Sequence, residues 1–186
     1  MQRYIKIHND SALFLDRDGV INIRSEGGYV LQPADFEFID GSCQAIVTLS
    51  RIFCHTFIVT NQSCIGKRLM SETRRPDIHN PLQPSVADAG GCIGAIYHSP
   101  YLPESNHFMR KPNIGMALRA RRDYPDINLK HSIMVGDSLT DMLFAKRAGM
   151  IAVLVGSCSG IANQHPQLVD FYFRNLAEFA ELAPFL

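Results

Sequence analysis

Short runs of apolar, β-prone residues alternate along the chain with longer stretches in which apolar positions recur every three or four residues. The runs Ala12–Leu15, Thr56–Val59, Cys92–Tyr97, Ser132–Val135 and Ile151–Val155 read as strands, with a short sixth at Phe171–Phe173. Amphipathic stretches at Ser42–Phe53, Ile114–Asp123, Thr140–Ala148 and Leu176–Leu182 read as helices, and Gly149 stands where the third of these would stop. This alternation predicts an α/β fold, a mostly parallel sheet covered by helices. The stretch 71–91 is mixed: Val86–Ala89 reads as helical, while Pro76, Pro81 and Pro84 forbid one uninterrupted helix. Two long connections, Asn22–Asp40 and His98–Asn113, have the length of functional loops. No repeat, low-complexity tract or linker interrupts the chain, so a single domain over residues 1–186 is expected.

The polar residues that close these runs carry the chemistry. Asp16-Arg17-Asp18-Gly19-Val20 follows the first, Thr60-Asn61-Gln62-Ser63 the second and Gly136-Asp137-Ser138-Leu139-Thr140-Asp141 the fourth. Ligands of open parallel sheets bind beyond the carboxyl ends of the strands, so three strands deliver polar groups to one edge. Each segment alone reads more readily as a turn or a helix cap; together they call for another explanation. Asp16 and Asp18 can face the same side, and their repulsion there demands a cation or a shared proton. With Asp137 the set is rich in hard oxygen and poor in sulfur and imidazole, a chemistry that selects Mg²⁺. Lys111, within Arg110-Lys111-Pro112, adds a positive charge suited to a phosphoryl group, and Pro112 biases it toward an extended backbone.

Composition narrows the choice of partner. Apolar residues make up 46% and charged residues 19% of the 186, as in ordinary globular proteins. Lys plus Arg and Asp plus Glu stand at 18 each, so no global basic field points to nucleic acid. Charges in Met1–Lys6 sit where a secretory signal needs an apolar stretch, and the longest apolar run, Met150–Val155, is strand-sized. The five cysteines are scattered without a CxxC, which fits reduced thiols. A cytoplasmic protein with neither membrane nor nucleic acid as partner is expected.

In order and spacing these residues resemble the motifs of the haloacid dehalogenase (HAD) superfamily: Asp16-x-Asp18-x-Val20, Thr60, Lys111 and Gly136-Asp137-x-x-x-Asp141. The resemblance implies a three-layer Rossmann-like HAD fold without a large cap domain, and an Mg²⁺-dependent phosphatase. By that likeness Asp16 is the nucleophile that forms an aspartyl-phosphate, and Asp18 is the general acid and base. Thr60 and Lys111 stabilise the phosphoryl oxygens, and Asp16, the Asp18 backbone carbonyl and Asp137 hold the Mg²⁺. Asp141 is implied to orient the metal site or Lys111. The strings Phe14–Asn22, Gly28-Tyr29-Val30, Phe36–Gly41, Val59–Ser63 and Arg110-Lys111-Pro112 are similar to the histidinol-phosphate phosphatase family within that superfamily. This implies a small phosphorylated metabolite, foremost a sugar bisphosphate, contacted by Glu26, Gly28, Tyr29, Asn61, Gln62, Ser63 and Arg110. Arg110, with its bidentate fork, is the candidate for a second phosphate. A monomer or weak homodimer is expected, and the end at Leu186 predicts no fused dehydratase domain.

Three positions depart from that family. Its members usually carry a zinc loop, Cys-x-His followed by Cys-x-Cys, just before Arg-Lys-Pro. Here Ser99, Tyr101, His107 and Met109 occupy the ligand positions, so zinc is not expected. The loop must then be held by packing, with Tyr97, Tyr101, Leu102 and Phe108 as candidates, and His98 and His107 read as ordinary loop residues. Cys64 replaces a common glycine and reads as a small buried side chain. Ser138 stands where sugar-bisphosphate members typically have lysine, which removes a positive charge. Two further readings are a phosphatase of histidinol phosphate or another small metabolite, and a catalytically quiet HAD-like binding protein. The complete motif set argues against the second.

Overall fold

A computed structural model describes residues 5–24, 30–31, 33–69, 82–157 and 159–183. The expected substrate contacts Glu26, Gly28 and Tyr29, and the prolines at 76 and 81, lie outside the described residues. The strands are β1 (Ala12–Leu15), β2 (His55–Asn61), β3 (Ala95–Ser99), β4 (Ile133–Gly136), β5 (Ile151–Val155) and β6 (Phe171–Phe173). They form one six-stranded sheet in the order β3-β2-β1-β4-β5-β6, and every adjacent pair is parallel. The described helices are α1 (Ser42–Leu49), α2 (Ser63–Gly66), α3 (Leu82–Asp88), α4 (Gly115–Asp123), α5 (Leu139–Ala148), α6 (Ser159–Gln164) and α7 (Leu176–Leu182).

A parallel sheet covered on both sides needs apolar residues at every strand position, because successive side chains point to opposite faces. β1 shows this directly. Leu13 and Leu15 enter one core with Ile46 and Leu49 of α1 and Phe179 of α7. Ala12 and Phe14 enter the other with Met116 and Ala117 of α4 and Phe144 of α5. The result is the expected three-layer α/β fold. Among the described residues no helix is long and apolar enough to cross a membrane.

Element limits differ from expectation where polar residues continue a strand. β2 runs on through Thr60 and Asn61, which pair in register with His98 and Ser99 of β3. β3 itself is displaced toward its polar end, because its place on the sheet edge is set by pairing with β2 rather than by burial on both faces. α1 stops at Leu49 although the apolar pattern continues, and Ile52 and Phe53 fold back in turns onto the Leu49 carbonyl. α3 starts at Leu82 and holds Pro84 in its first turn, where a missing N–H breaks no helical bond. α2 and α6, of four and six residues, are too short to show a period and were not expected. Part of the long loop after β1 is a narrow ribbon: Ile23 N donates to Glu37 O at 2.8 Å, and Ile39 N to Ile21 O at 2.9 Å.

The chain moves outward from β1 to β2 and β3, then returns to place β4 on the other flank of β1. Strand order therefore reverses between β1 and β4, and a crevice opens there at the carboxyl ends of the strands.

Candidate active site

Asp16 and Asp137 leave the sheet on the two sides of that reversal, directly after β1 and β4. Asp141 joins them because α5 begins at once. Its capping residue Ser138 donates to Asp141 Oδ2 from its backbone N–H (3.1 Å) and its hydroxyl (2.5 Å). Gly136 permits this fold-back, since a Cβ there would lie 2.2 Å from Asp141 Cβ. Carboxylate oxygens of Asp16, Asp137 and Asp141 all fall within 4.8 Å of one another. Burial, then the nearby Asp141 charge, pushes the Asp16 pKa up to about 7, with Lys111 pulling the other way. Burial also raises the Asp137 pKa, opposed by the Arg24 guanidinium. A buried set of hard oxygen donors in mutual repulsion fits a hard divalent cation such as Mg²⁺.

Lys111 is the cation already built into the cluster. Its Nζ lies 2.9 Å from Asp16 Oδ1 and 2.6 Å from Asp141 Oδ1, and it donates to the Val59 carbonyl at 2.8 Å. Burial works against the charge, but the Asp141 and Asp16 carboxylates outweigh it and hold the lysine pKa above its ordinary value. Asn61, at the end of β2, fixes the Lys111 backbone from both sides: Oδ1 accepts from Lys111 N at 3.0 Å, and Nδ2 donates to Lys111 O at 3.1 Å. Lys111 is joined to Pro112 by a cis peptide bond.

Asp18 is held by a residue that sequence reasoning missed. Arg17 is 1% exposed, and its guanidinium forks onto the Asp18 carboxylate, with Nη2 at 2.8 and 2.9 Å and Nε at 3.1 Å. Asn22 Nδ2 adds a bond to Asp18 Oδ1 at 3.0 Å. The signal for Arg17 was a full charge between two aspartates just past a buried strand, where a charge persists only with a partner. Gly19 follows with φ of 89°, and a Cβ there would meet Asp137 Oδ2 at 2.0 Å, so both backbone and space require glycine.

A cavity of about 220 Å³ is lined by Asp16, Asp18, Arg24, Thr60, Asn61, Arg110, Lys111, Ser138 and Thr140. Gln62 is buried, and its amide donates to Thr60 Oγ1 at 2.8 Å and reaches Asp18 Oδ2 at 3.4 Å. Ser63 Oγ accepts from Arg110 Nη1 at 2.9 Å, and the same nitrogen donates to the Tyr101 carbonyl at 2.7 Å. Gln62 and Ser63 thus hold other site residues rather than forming the cavity wall. Arg24, absent from the expected set, sits in that wall and bonds Asp137 Oδ1 at 2.8 Å.

The loop before Arg110 is organised by stacking and hydrogen bonds. The Tyr101 and His107 rings stack, His107 Nδ1 accepts from Met109 N at 3.1 Å, and Asn113 Nδ2 donates to the carbonyls of Asn106 and His107. Tyr97 packs in the α4-side core, whereas Phe108 is 56% exposed and contributes little packing, contrary to expectation. Cys64 is buried beside Val30, and burial raises its thiol pKa.

Residues 108–179 match the family model for HAD-hydrolase-like proteins, and the parallel sheet with carboxylates directly after β1 and β4 agrees with that class. The chain is 34% identical over 175 residues to the D-glycero-beta-D-manno-heptose-1,7-bisphosphate 7-phosphatase of Photorhabdus laumondii, covering 90% of this chain and 92% of that one. It is 35% identical over 171 residues to the D-glycero-alpha-D-manno-heptose-1,7-bisphosphate 7-phosphatase of Mycobacterium bovis, covering 90% and 88%. The crystal structure of D,D-heptose 1,7-bisphosphate phosphatase from B. bronchiseptica, complexed with magnesium and phosphate, matches with a TM-score of 0.83 at 32% identity, over 92% of this chain and 96% of that one. The chain belongs to the heptose-1,7-bisphosphate 7-phosphatase family of HAD phosphatases.

Proposed function

We propose that this chain is an Mg²⁺-dependent phosphomonoesterase that removes the 7-phosphate of D-glycero-D-manno-heptose 1,7-bisphosphate, a step in supplying heptose for surface polysaccharide. The observation that carries the reading is Lys111 clamped between Asp16 and Asp141 where strand order reverses. Heptose bisphosphate is favoured by relatives of that activity aligned along about nine-tenths of the chain. The reading takes residues 1–186 as one domain acting in the cytoplasm as a monomer or weak homodimer, with neither nucleic acid nor membrane as partner.

In this mechanism Asp16 attacks phosphorus in line. The bond from its carboxylate oxygen forms as the bond to the sugar oxygen breaks, and Asp18 gives that oxygen a proton. Asp18 then takes a proton from water, whose oxygen attacks the phosphorus, freeing phosphate and restoring Asp16. Asp16, the Asp18 backbone carbonyl and Asp137 would hold Mg²⁺, which when bound neutralises charge between nucleophile and phosphate. Thr60 Oγ1 already accepts from Gln62, so its own proton remains for a phosphoryl oxygen. Lys111, ion-paired with Asp16 and Asp141 and bonded to the Val59 carbonyl, orients Asp16 and acts on the phosphoryl group through its charge.

Phosphate release from both anomers of the heptose bisphosphate and from histidinol phosphate tests the reading. The preferred heptose anomer should exceed histidinol phosphate at least tenfold in kcat/KM (~1.4 kcal/mol of transition-state discrimination), and EDTA should abolish turnover until Mg²⁺ is restored. Comparable rates on histidinol phosphate would overturn the substrate assignment. Replacing the buried fork should impair the proton-transfer residue specifically. Arg17→Met is expected to lower kcat by roughly tenfold or more, within the range a positioned general acid contributes, with KM little changed. An unaltered kcat would show that Asp18 needs no fork.

A further inference from the structure

Arg24 is the residue at this site whose role neither the motifs nor the mechanism assigns. It lies in the cavity wall, yet its side chain is 55% exposed and, among the described residues, is tied to one carboxylate, Asp137 Oδ1, at 2.8 Å. Both partners lie over the bare backbone of Gly19: a Cβ there would be 2.0 Å from Asp137 Oδ2 and 3.1 Å from Arg24 Nε. Asp137 is also one of the carboxylates gathered closely enough to share a cation. A guanidinium and a divalent cation on one small carboxylate repel each other, so binding of the cation weakens the hold on Arg24. The other cations of the cavity are differently committed. Lys111 is paired with Asp16 and Asp141 and bonded to the Val59 carbonyl, and Arg110 Nη1 is held by Ser63 Oγ and the Tyr101 carbonyl. Arg24 is long, half in solvent and anchored at one end only, so it can turn from Asp137 to an anion entering the cavity.

We propose that Arg24 determines specificity for a substrate with a second anionic group: it is held on Asp137 in the metal-free protein and passes to the phosphate that is not hydrolysed when the divalent cation takes over that carboxylate. The inference rests on the proposed Mg²⁺-dependent sugar-bisphosphatase activity and adds to it a residue that lies outside the family motifs. It also gives the cavity a cation despite serine at position 138.

Arg24→Gln and Arg24→Lys test it in two arms. In the first, Mg²⁺-loaded enzyme is assayed on heptose 1,7-bisphosphate and on heptose 7-phosphate, which lacks the second anion. Arg24→Gln should raise KM for the bisphosphate about tenfold or more, as expected for a lost charged hydrogen bond. Its kcat, and its KM for the monophosphate, should stay within about twofold, below the smallest such loss. Arg24→Lys should recover part of the bisphosphate KM. In the second arm, metal-free protein without substrate is titrated calorimetrically with MgCl₂. Arg24→Gln should bind Mg²⁺ about two- to fivefold more tightly, the scale of a surface ion pair removed from competition. Equal KM increases on both sugars, an unchanged bisphosphate KM, or unchanged or weaker Mg²⁺ binding would each overturn the proposal. Wild-type protein that hydrolyses neither sugar would instead refute the proposed function, and the substrate half of this inference with it. The MgCl₂ titration would then still decide whether Arg24 and the cation exchange on Asp137.

Discussion

Asp16→Asn should abolish turnover, by roughly 10⁴-fold or more as for other catalytic nucleophiles, and should make the metal-free protein more stable at pH 8. Both effects follow from one carboxylate. Asp16 sits among Asp141, Asp18 and Asp137 in a buried site, and burial with that repulsion raises its pKa to about 7. An unfolded aspartate titrates near 3.9. Between those values the folded chain holds a proton that the unfolded chain has released. Asp16 therefore favours folding at low pH, and stability declines as pH rises from about 4 toward 7. At pH 8 the full penalty is present in wild-type protein and absent from the neutral, isosteric asparagine. Its upper bound is a few kcal/mol, since each tenfold change in proton affinity between the folded and unfolded chain is worth about 1.4 kcal/mol. In a chain of this length that corresponds to a melting temperature higher by several degrees, at ~2–4 °C per kcal/mol. Melting curves in EDTA should show the gap at pH 8 and its closure toward pH 4, and Mg²⁺ should stabilise wild-type protein more than the variant. Surviving turnover would remove Asp16 as nucleophile, and a variant less stable than wild type at pH 8 would show that Asp16 is not electrostatically strained.

The features that could be read along the chain are those that local pattern dictates. β1 and β5 fell at their expected limits because a strand buried on both faces is written as an unbroken apolar run. Asp16 and Asp137 were legible because each directly follows a strand, and a parallel sheet brings strand ends to one edge; Lys111, in the loop between β3 and α4, was legible from the string Arg110-Lys111-Pro112. β3 was displaced because an edge strand answers to its neighbour's hydrogen bonds more than to burial. What could not be read was side-chain direction in irregular backbone. Gln62 and Ser63 follow β2 as closely as Asn61 does, yet the turn into α2 aims Gln62 at Thr60 and Asp18 and sets Ser63 under Arg110. The pattern names the aspartates on either side of Arg17 and is silent on Arg17 itself. Arg24 carries no sequence signal because nothing local joins it to Asp137, 113 positions away. Phe108 errs in the opposite sense, an aromatic read as packing that the loop leaves exposed.

Lys111→Met should be the most destabilising substitution in the site, by about 3–5 kcal/mol for a buried charge left without its partner, and it should also end activity. Asp141 is fully buried, and its Oδ1 has Lys111 Nζ as its ionic partner at 2.6 Å. Methionine fills the space but offers no proton to Asp141, Asp16 or the Val59 carbonyl. Folding must then bury Asp141 as an uncompensated charge or protonate it. The decisive comparison is the double variant Lys111→Met/Asp141→Leu, which removes both charges and puts apolar groups in their place. It should be more stable than Lys111→Met alone, so the double-mutant cycle departs from additivity by more than ~1 kcal/mol, as contacting ionic residues do. Urea unfolding in EDTA at pH 7 measures the cycle. Additive losses would mean that Lys111 stabilises the fold through its aliphatic stem, with its charge serving chemistry alone. Repeating the unfolding with Mg²⁺ separates the two cations of the site. A divalent ion at Asp16 and Asp137 relieves repulsion there but gives Asp141 no hydrogen-bond donor, so it should restore only part of the stability lost in Lys111→Met.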